Sequence, residues 1–214
     1  MGGLRTSEAP AAGAAMTVRD ELRELTHRRL LSAAQAVFER DGYMRTTIGN
    51  ITKGANVNRA TFYLHFADKA DVLRAVLNSN LADTPAYWRE VDEALVDGGR
   101  GALRAALCRT LDWYQQHGRL LPSVREAVAA DPHFAAQLEG TFAGFADEMS
   151  GYLARVAPQE RSRARLRLQL LIVQLDQVAF GLIVQRTGGI DRELLLDEVT
   201  DIWMLVLPPA RRPS

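Results

Sequence analysis

Residues 41–73 read DGYMRTTIGNITKGANVNRATFYLHFADKADVL, and the punctuation inside this stretch decides the fold. Asp41-Gly42 closes a preceding helix, because glycine accepts the left-handed conformation at a helix end. Thr46-Thr47 offers an N-cap, and Ile48, Ile51 and Ala55 then share one face of a short second helix. Asn56 and Asn58 bracket Val57. Asparagine tolerates the positive φ of a tight turn, and Asn58 is a good cap for a third helix. The spacing predicts that helix from about Arg59 to Phe66, with Phe62 and Phe66 an i, i+4 pair directed at a core. Asp68 caps a fourth, longer helix bearing Val72, Leu73, Val76 and Leu77. Upstream, Leu30, Leu31, Ala34, Val37 and Phe38 form the apolar stripe of a first helix starting near Arg19.

Two short helices joined by a tight turn and packed on a third make a helix-turn-helix. A helix fits the major groove of DNA by diameter, and its first residues reach the base edges. Here those residues are Asn58, Arg59, Ala60 and Thr61: a cap, a bidentate donor suited to guanine, and two small side chains that permit close approach. Tyr63 and His65 follow, with polar atoms suited to phosphate oxygens, which fix register rather than sequence. Plainer roles stand beside these: Tyr63 as a packed aromatic, Arg59 and Lys69 as solvated charges, His65 as a core histidine. A cation at Lys69, at a helix start, opposes the helix dipole and favours a phosphate partner.

The set Gly42-Tyr43, Thr46-Thr47-Ile48, Ile51, Ala55, Val57, Arg59, Thr61-Phe62-Tyr63, His65-Phe66, Lys69 and Leu73 resembles the TetR family of bacterial transcriptional repressors. The resemblance covers roughly 50 residues at many fixed spacings. It implies that Thr47, Tyr63, His65 and Lys69 touch DNA phosphates. It also implies a C-terminal helical bundle that binds small molecules and dimerises through its last two helices. Three positions depart from the family pattern: Asn56 stands where glycine is usual, Asn58 where Ser or Thr is common, and Gly54 where a helix former is expected. The asparagines keep the required φ and cap, while Gly54 is expected to cost its helix about 1 kcal/mol relative to Ala.

The chain has 214 residues, 47% hydrophobic and 24% charged, which is enough apolar material for a core. Its 26 basic and 26 acidic residues cancel, excluding a uniformly basic nucleic-acid coat protein. Residues 1–80 carry 11 Lys and Arg against 8 Asp and Glu, and residues 81–214 carry 15 against 18, so the phosphate-tolerant half is the N-terminal one. A single cysteine, Cys108, excludes an intrachain disulfide framework. His27, His65, His117 and His133 show no metal-ligand spacing, and no P-loop, HExxH or GxSxG motif occurs, so neither a metal, a cofactor nor an enzyme is expected. Apolar runs such as 170–173 are short for a membrane span, and the opening residues lack a signal-peptide pattern, so a cytoplasmic protein is expected.

The expected layout is all-α: a flexible tail over residues 1–18, a helix-turn-helix domain over 19–68, and a helical ligand-binding and dimerisation domain over 69–214, about nine helices in total. Residues 166–184 are apolar nearly all round, and residues 193–207 form the next helix. The two are the expected homodimer interface, isologous about a two-fold axis. Trp113, Phe142, Phe145, Met149, Asp176 and Phe180 are the candidate lining of an effector cavity, with Asp176 and Gln177 as orienting polar groups inside an apolar helix. Asp176 could equally pair with an arginine across the dimer, and aromatics at helical spacing also build ordinary core. The function expected is a sequence-specific repressor, released from a palindromic DNA operator by a small, mainly apolar effector. Two alternatives stay open: a DNA-binding regulator without an effector, and a helical ligand-binding protein whose helix-turn-helix is vestigial.

Overall fold

The structure, a computed structural model, describes residues 17–185, 189 and 191–207. Most of the expected tail lies outside the described residues. Its last two residues do not: Thr17 caps α1 (Val18–Asp41) in a capping box with Asp20, so the helix starts a residue earlier than the apolar stripe announces. Gly42 ends α1 at φ 80°, its N–H donating to the Phe38 carbonyl at 3.0 Å. Next come α2 (Ile48–Ala55), α3 (Arg59–Tyr63) and α4 (Lys69–Asn80). Leu30, Phe38, Ile51 and Phe62 interlock these helices and are almost wholly buried, each contributing about 1.5–3 kcal/mol.

Gly54 has a structural use that sequence alone did not disclose. A Cβ at this position would lie 3.3 Å from the Ala33 Cβ, so the missing side chain lets α2 settle against α1. The propensity cost is therefore offset by packing.

The remaining helices form a bundle: α5 (Thr84–Glu93), α6 (Gly99–His117), α7 (Leu121–Ala130), α8 (Pro132–Glu148), α9 (Ser150–Arg155), α10 (Arg161–Ala179) and α11 (Arg192–Val206). Wider π turns extend α5 through Gly98 and α10 through Val184. Helices α5, α8 and α10 pack side by side, α6 lies against α5 and α11, and α7 joins α8 to α1. The fold class is the expected one, with no strand among the described residues. The eleven α-helices among the described residues, against about nine expected, reflect a break with a remote cause. The stripe from Phe134 to Val156 looks continuous in sequence but is broken at Met149, where φ is −86° and ψ 43°. Asp92, on α5, accepts from the N–H groups of Gly151 and Tyr152 at 2.9 and 2.6 Å and so starts α9 afresh.

The stretch Pro158–Val184 is long and apolar enough to cross a membrane by length and composition alone. Here it packs on α8 and α9 and carries a buried carboxylate, Asp176, that is paired within the bundle. One face of it, at Leu166, Leu170 and Val173, stays exposed.

Candidate DNA-binding and ligand sites

The turn between α2 and α3 has the geometry its asparagines demand. Asn56 adopts φ 53° and ψ 50°, the left-handed region, and among the described residues it is the non-glycine with positive φ. The Val57 N–H reaches back to the Thr52 carbonyl at 3.0 Å, closing the end of α2. Asn58 then caps α3: its Oδ1 accepts from the Thr61 N–H at 2.7 Å and from the Thr61 hydroxyl at 3.0 Å. The side chains of Asn58 and Thr61 are thus engaged with each other. Arg59 and Ala60, between them, are exposed.

Helix α3 is shorter than its apolar spacing suggests. Both the His65 and Phe66 N–H groups donate to the Phe62 carbonyl, at 2.9 and 3.0 Å, so the chain tightens after Tyr63 while Phe62 and Phe66 both stay buried. Tyr63 points outward at 52% exposure, and so does Leu64 at 74%. Leu64 is absent from the candidate residues read from sequence. An apolar side chain next to Tyr63 in an otherwise satisfied core pattern is the signal for it, since apolar groups meet the thymine methyl in the major groove.

The residues expected at phosphates are arranged less uniformly. Thr47 is exposed, but its hydroxyl sits in a capping box with Asn50 at the start of α2. His65 is half-buried, its ring 5.7 Å from that of His27 and 6.4 Å from that of Phe66. Burial holds its imidazole below the usual histidine range, and the nearby His27 and Arg23 add to this. Lys69 does not stand free in solvent. Its Nζ donates to the Tyr43 carbonyl at 2.7 Å and lies 4.1 Å from the centre of the Tyr43 ring. Burial lowers the Lys69 ammonium from the ordinary lysine range, against the pull of Glu126.

A second feature lies inside the bundle. Helices α4 to α8 and α10 surround a narrow cavity of about 50 Å³ that opens to solvent. Trp113, Phe142, Phe145, Asp176 and Phe180 line it, together with Leu77, Tyr87, Trp88, Tyr114 and Arg125. Met149 does not. It is fully buried elsewhere, because the break between α8 and α9 turns it out of the stripe that Phe142 and Phe145 share. Gln177 is exposed and likewise outside the lining. Trp88 stacks on Phe145 at 5.3 Å, giving one wall a flat aromatic surface.

Asp176 pairs within its own chain. Its carboxylate accepts from the Tyr114 hydroxyl at 2.8 Å and from the Arg125 guanidinium, which also lies 4.8 Å from the Phe180 ring centre. Burial, and then the Asp176 charge, push the Tyr114 phenol well above its ordinary range, so Tyr114 stays a neutral donor. Other polar groups of the wall are turned to backbone carbonyls: the Trp113 N–H to Asn80, and the hydroxyls of Thr84, Thr110 and Thr141 to Leu81, Ala106 and Gln137. Arg125 was missed in the sequence. The signal available was a cation in the midst of an apolar helix, LPSVREAVAA, flanked by groups that look away from it.

Those groups are Ser123 and Glu126. The Ser123 hydroxyl is buried and donates to the Phe38 carbonyl at 2.8 Å; a Glu126 oxygen accepts from the Met44 N–H at 2.8 Å. Helix α7 therefore touches the cavity with Arg125 and the end of α1 with its neighbours.

An exposed, capped third helix set on α2, with a hollow all-helical bundle behind it, is the build of a helix-turn-helix regulator. The comparisons with known proteins agree. Residues 30–76 match the family model described as bacterial regulatory proteins, tetR family. The chain is 34% identical to the A-factor receptor protein of Streptomyces griseus over 88% of its own length, spanning 65% of that protein. It is 25% identical to the HTH-type transcriptional repressor AcnR of Corynebacterium efficiens, over 88% of this chain and 94% of that one. Among solved structures, a tetR-family transcriptional regulator from Streptomyces coelicolor shares the fold with a TM-score of 0.64 at 18% identity, covering 86% of this chain and 80% of that chain. Residues 30–76 thus carry the helix-turn-helix of the tetR family of bacterial regulatory proteins, and the full-length relatives are named as a receptor and a transcriptional repressor.

Proposed function

We propose that this protein is a dimeric, cytoplasmic, sequence-specific DNA-binding repressor, released from a palindromic operator by a small, mainly apolar effector. The observation that carries the reading is the first turn of α3. Asn58 and Thr61 satisfy each other there, leaving Arg59 and Ala60 exposed on a rigid, capped end that can approach base edges. Tyr63, Leu64 and Thr47 surround that turn, and Lys69 and His65 set its backing.

Dimerisation through α10 and α11 is supported by the apolar side chains they leave uncovered: Leu166, Leu170, Val173, Leu194, Met204 and Leu205. A two-fold axis would place two copies of α3 in successive major grooves, about 34–36 Å apart or a multiple of that. The effector reading is supported by the aromatic and apolar lining of the cavity with its few convergent polar groups, and by the name of the A-factor receptor, which describes that protein as a receptor. Leu77 on α4 lines the cavity while Lys69 at the other end of α4 holds Tyr43, so a ligand that displaces α4 also displaces the helix-turn-helix.

The test is fluorescence anisotropy with fragments of the source genome at moderate salt. A saturable, sequence-selective complex of folded dimer supports the proposal. Binding no stronger than to random DNA overturns it.

A further inference from the structure

The polar groups of the cavity define the chemistry of its occupant, an argument that rests on the cavity being a ligand site. Asp176 is the anionic acceptor of the wall, and its oxygens already accept three bonds, Oδ1 from the Tyr114 hydroxyl and Oδ2 from the Arg125 guanidinium and, at 3.4 Å, from the Gln177 amide. The indole N–H and the threonine hydroxyls are spent on backbone carbonyls. Tyr87 adds a hydroxyl that donates as readily as it accepts, and so does not discriminate. Arg125 is different. A guanidinium carries five N–H donors in a planar fork, and here the bond to Asp176 is made through Nη2 while the plane runs along Phe180.

Charge sharpens the argument. Among the described residues the wall holds one cation and one anion, which compensate each other. A ligand with a net charge would remain an unpaired ion among aromatic rings, an arrangement that burial strongly disfavours. A pure hydrocarbon would instead cover guanidinium donors without bonding them, which also costs affinity. We infer that the cavity selects uncharged, largely apolar molecules that carry a carbonyl or ether oxygen, with that oxygen bound by the Arg125 guanidinium. Arg125 is then the residue that sets ligand class, while the aromatic wall sets ligand shape.

The test uses four probes on one skeleton, titrated calorimetrically into the full chain: 2-acetylnaphthalene, 2-isopropylnaphthalene, 2-naphthoate and 2-naphthylmethylammonium. In the wild type the ketone binds most tightly and both ions bind weakest. The triple variant Arg125→Met, Asp176→Leu, Tyr114→Phe removes the guanidinium donors without stranding a charge or adding a new donor to the wall. In it the affinity ratio of ketone to hydrocarbon falls about tenfold, whereas Tyr87→Phe leaves that ratio unchanged. Infrared spectroscopy of the wild type gives an independent reading: the carbonyl stretch of bound 2-acetylnaphthalene moves to lower frequency than in an alkane. An unchanged ratio in the triple variant, an ion that binds best, or an unshifted carbonyl overturns the inference and leaves the cavity a ligand site. Failure of all four probes to bind overturns both.

Discussion

Arg59 and Lys69 are both cations of the helix-turn-helix, yet their side chains are placed for different work. Arg59 is exposed at the first position of α3, whereas Lys69 is drawn down onto Tyr43. Arg59→Ala is therefore expected to leave the melting temperature unchanged and to cost about 1–3 kcal/mol of operator affinity at a single base step. Lys69→Ala is expected to weaken binding to every sequence, and also to remove about 1 kcal/mol of folding stability by freeing the Tyr43 carbonyl. Anisotropy on cognate and scrambled duplexes, beside urea melts, separates the two; equal losses on both duplexes for Arg59→Ala would refute its assignment to base readout. The histidines give a pH prediction. Burial holds His65 and His117 below the ordinary value of 6.5. The unfolded chain therefore takes up protons on these rings before the folded one does, so stability is present above that pH and is lost as pH falls through and below it. Melting temperature should drop between pH 7.5 and 5.5, and the drop should be smaller in the His65→Gln, His117→Gln variant. An identical drop in both proteins would place the acid sensitivity elsewhere.

At the scale of elements, α7 links the cavity to the end of α1. Arg125 faces Asp176, and the residues on either side of the same turn, Ser123 and Glu126, hold the Phe38 carbonyl and the Met44 N–H. Gly42 sits directly beneath Glu126, a Cβ there meeting its carboxylate at 3.0 Å, so this junction has little slack. If the proposed effector acts on DNA affinity with the usual coupling of about 1–3 kcal/mol, the Ser123→Ala, Glu126→Ala variant should keep ligand affinity and lose most of that coupling. Anisotropy titrations with and without saturating 2-acetylnaphthalene would show it; full coupling in the variant would move the linkage to α4. What could be read from sequence follows the range of the interactions. The turn at Asn56, the caps at Thr47, Asn58 and Asp68, and the buried pair Phe62 and Phe66 depend on neighbours within a few residues, and all are where the spacing puts them. The break at Met149, the hold of Lys69 on Tyr43 and the pairing of Arg125 with Asp176 depend on partners far along the chain. Periodicity carries no information about such partners, which is why an aromatic stripe placed Met149 in the cavity and left Arg125 out.

At the scale of the whole molecule, the described residues leave apolar side chains of α10 and α11 uncovered. Leu170 and Leu205 are 62% and 86% exposed on α10 and α11, beside Leu166, Val173, Leu194 and Met204. Surface leucines scattered singly need no explanation, but a cluster on two consecutive helices does. The neighbouring ionic ties are intrachain: Arg100 and Arg104 on α6 bind Asp197, Asp201 and Glu193 along one side of α11, fixing its angle and leaving the apolar side to a partner. A second copy satisfies this face by symmetry, since the same residues then meet across the axis. Introducing like charges there should separate the copies without disturbing the bundle, because both side chains already face water in the single chain. The Leu170→Glu, Leu205→Glu variant is expected to sediment as a monomer with unchanged helical circular dichroism. Its operator affinity should fall by about 10²-fold, because two weak half-site contacts no longer act as one. A variant that stays dimeric would place the interface on another face of the bundle, and a monomer that binds the full operator as tightly as the wild type would show that one α3 suffices.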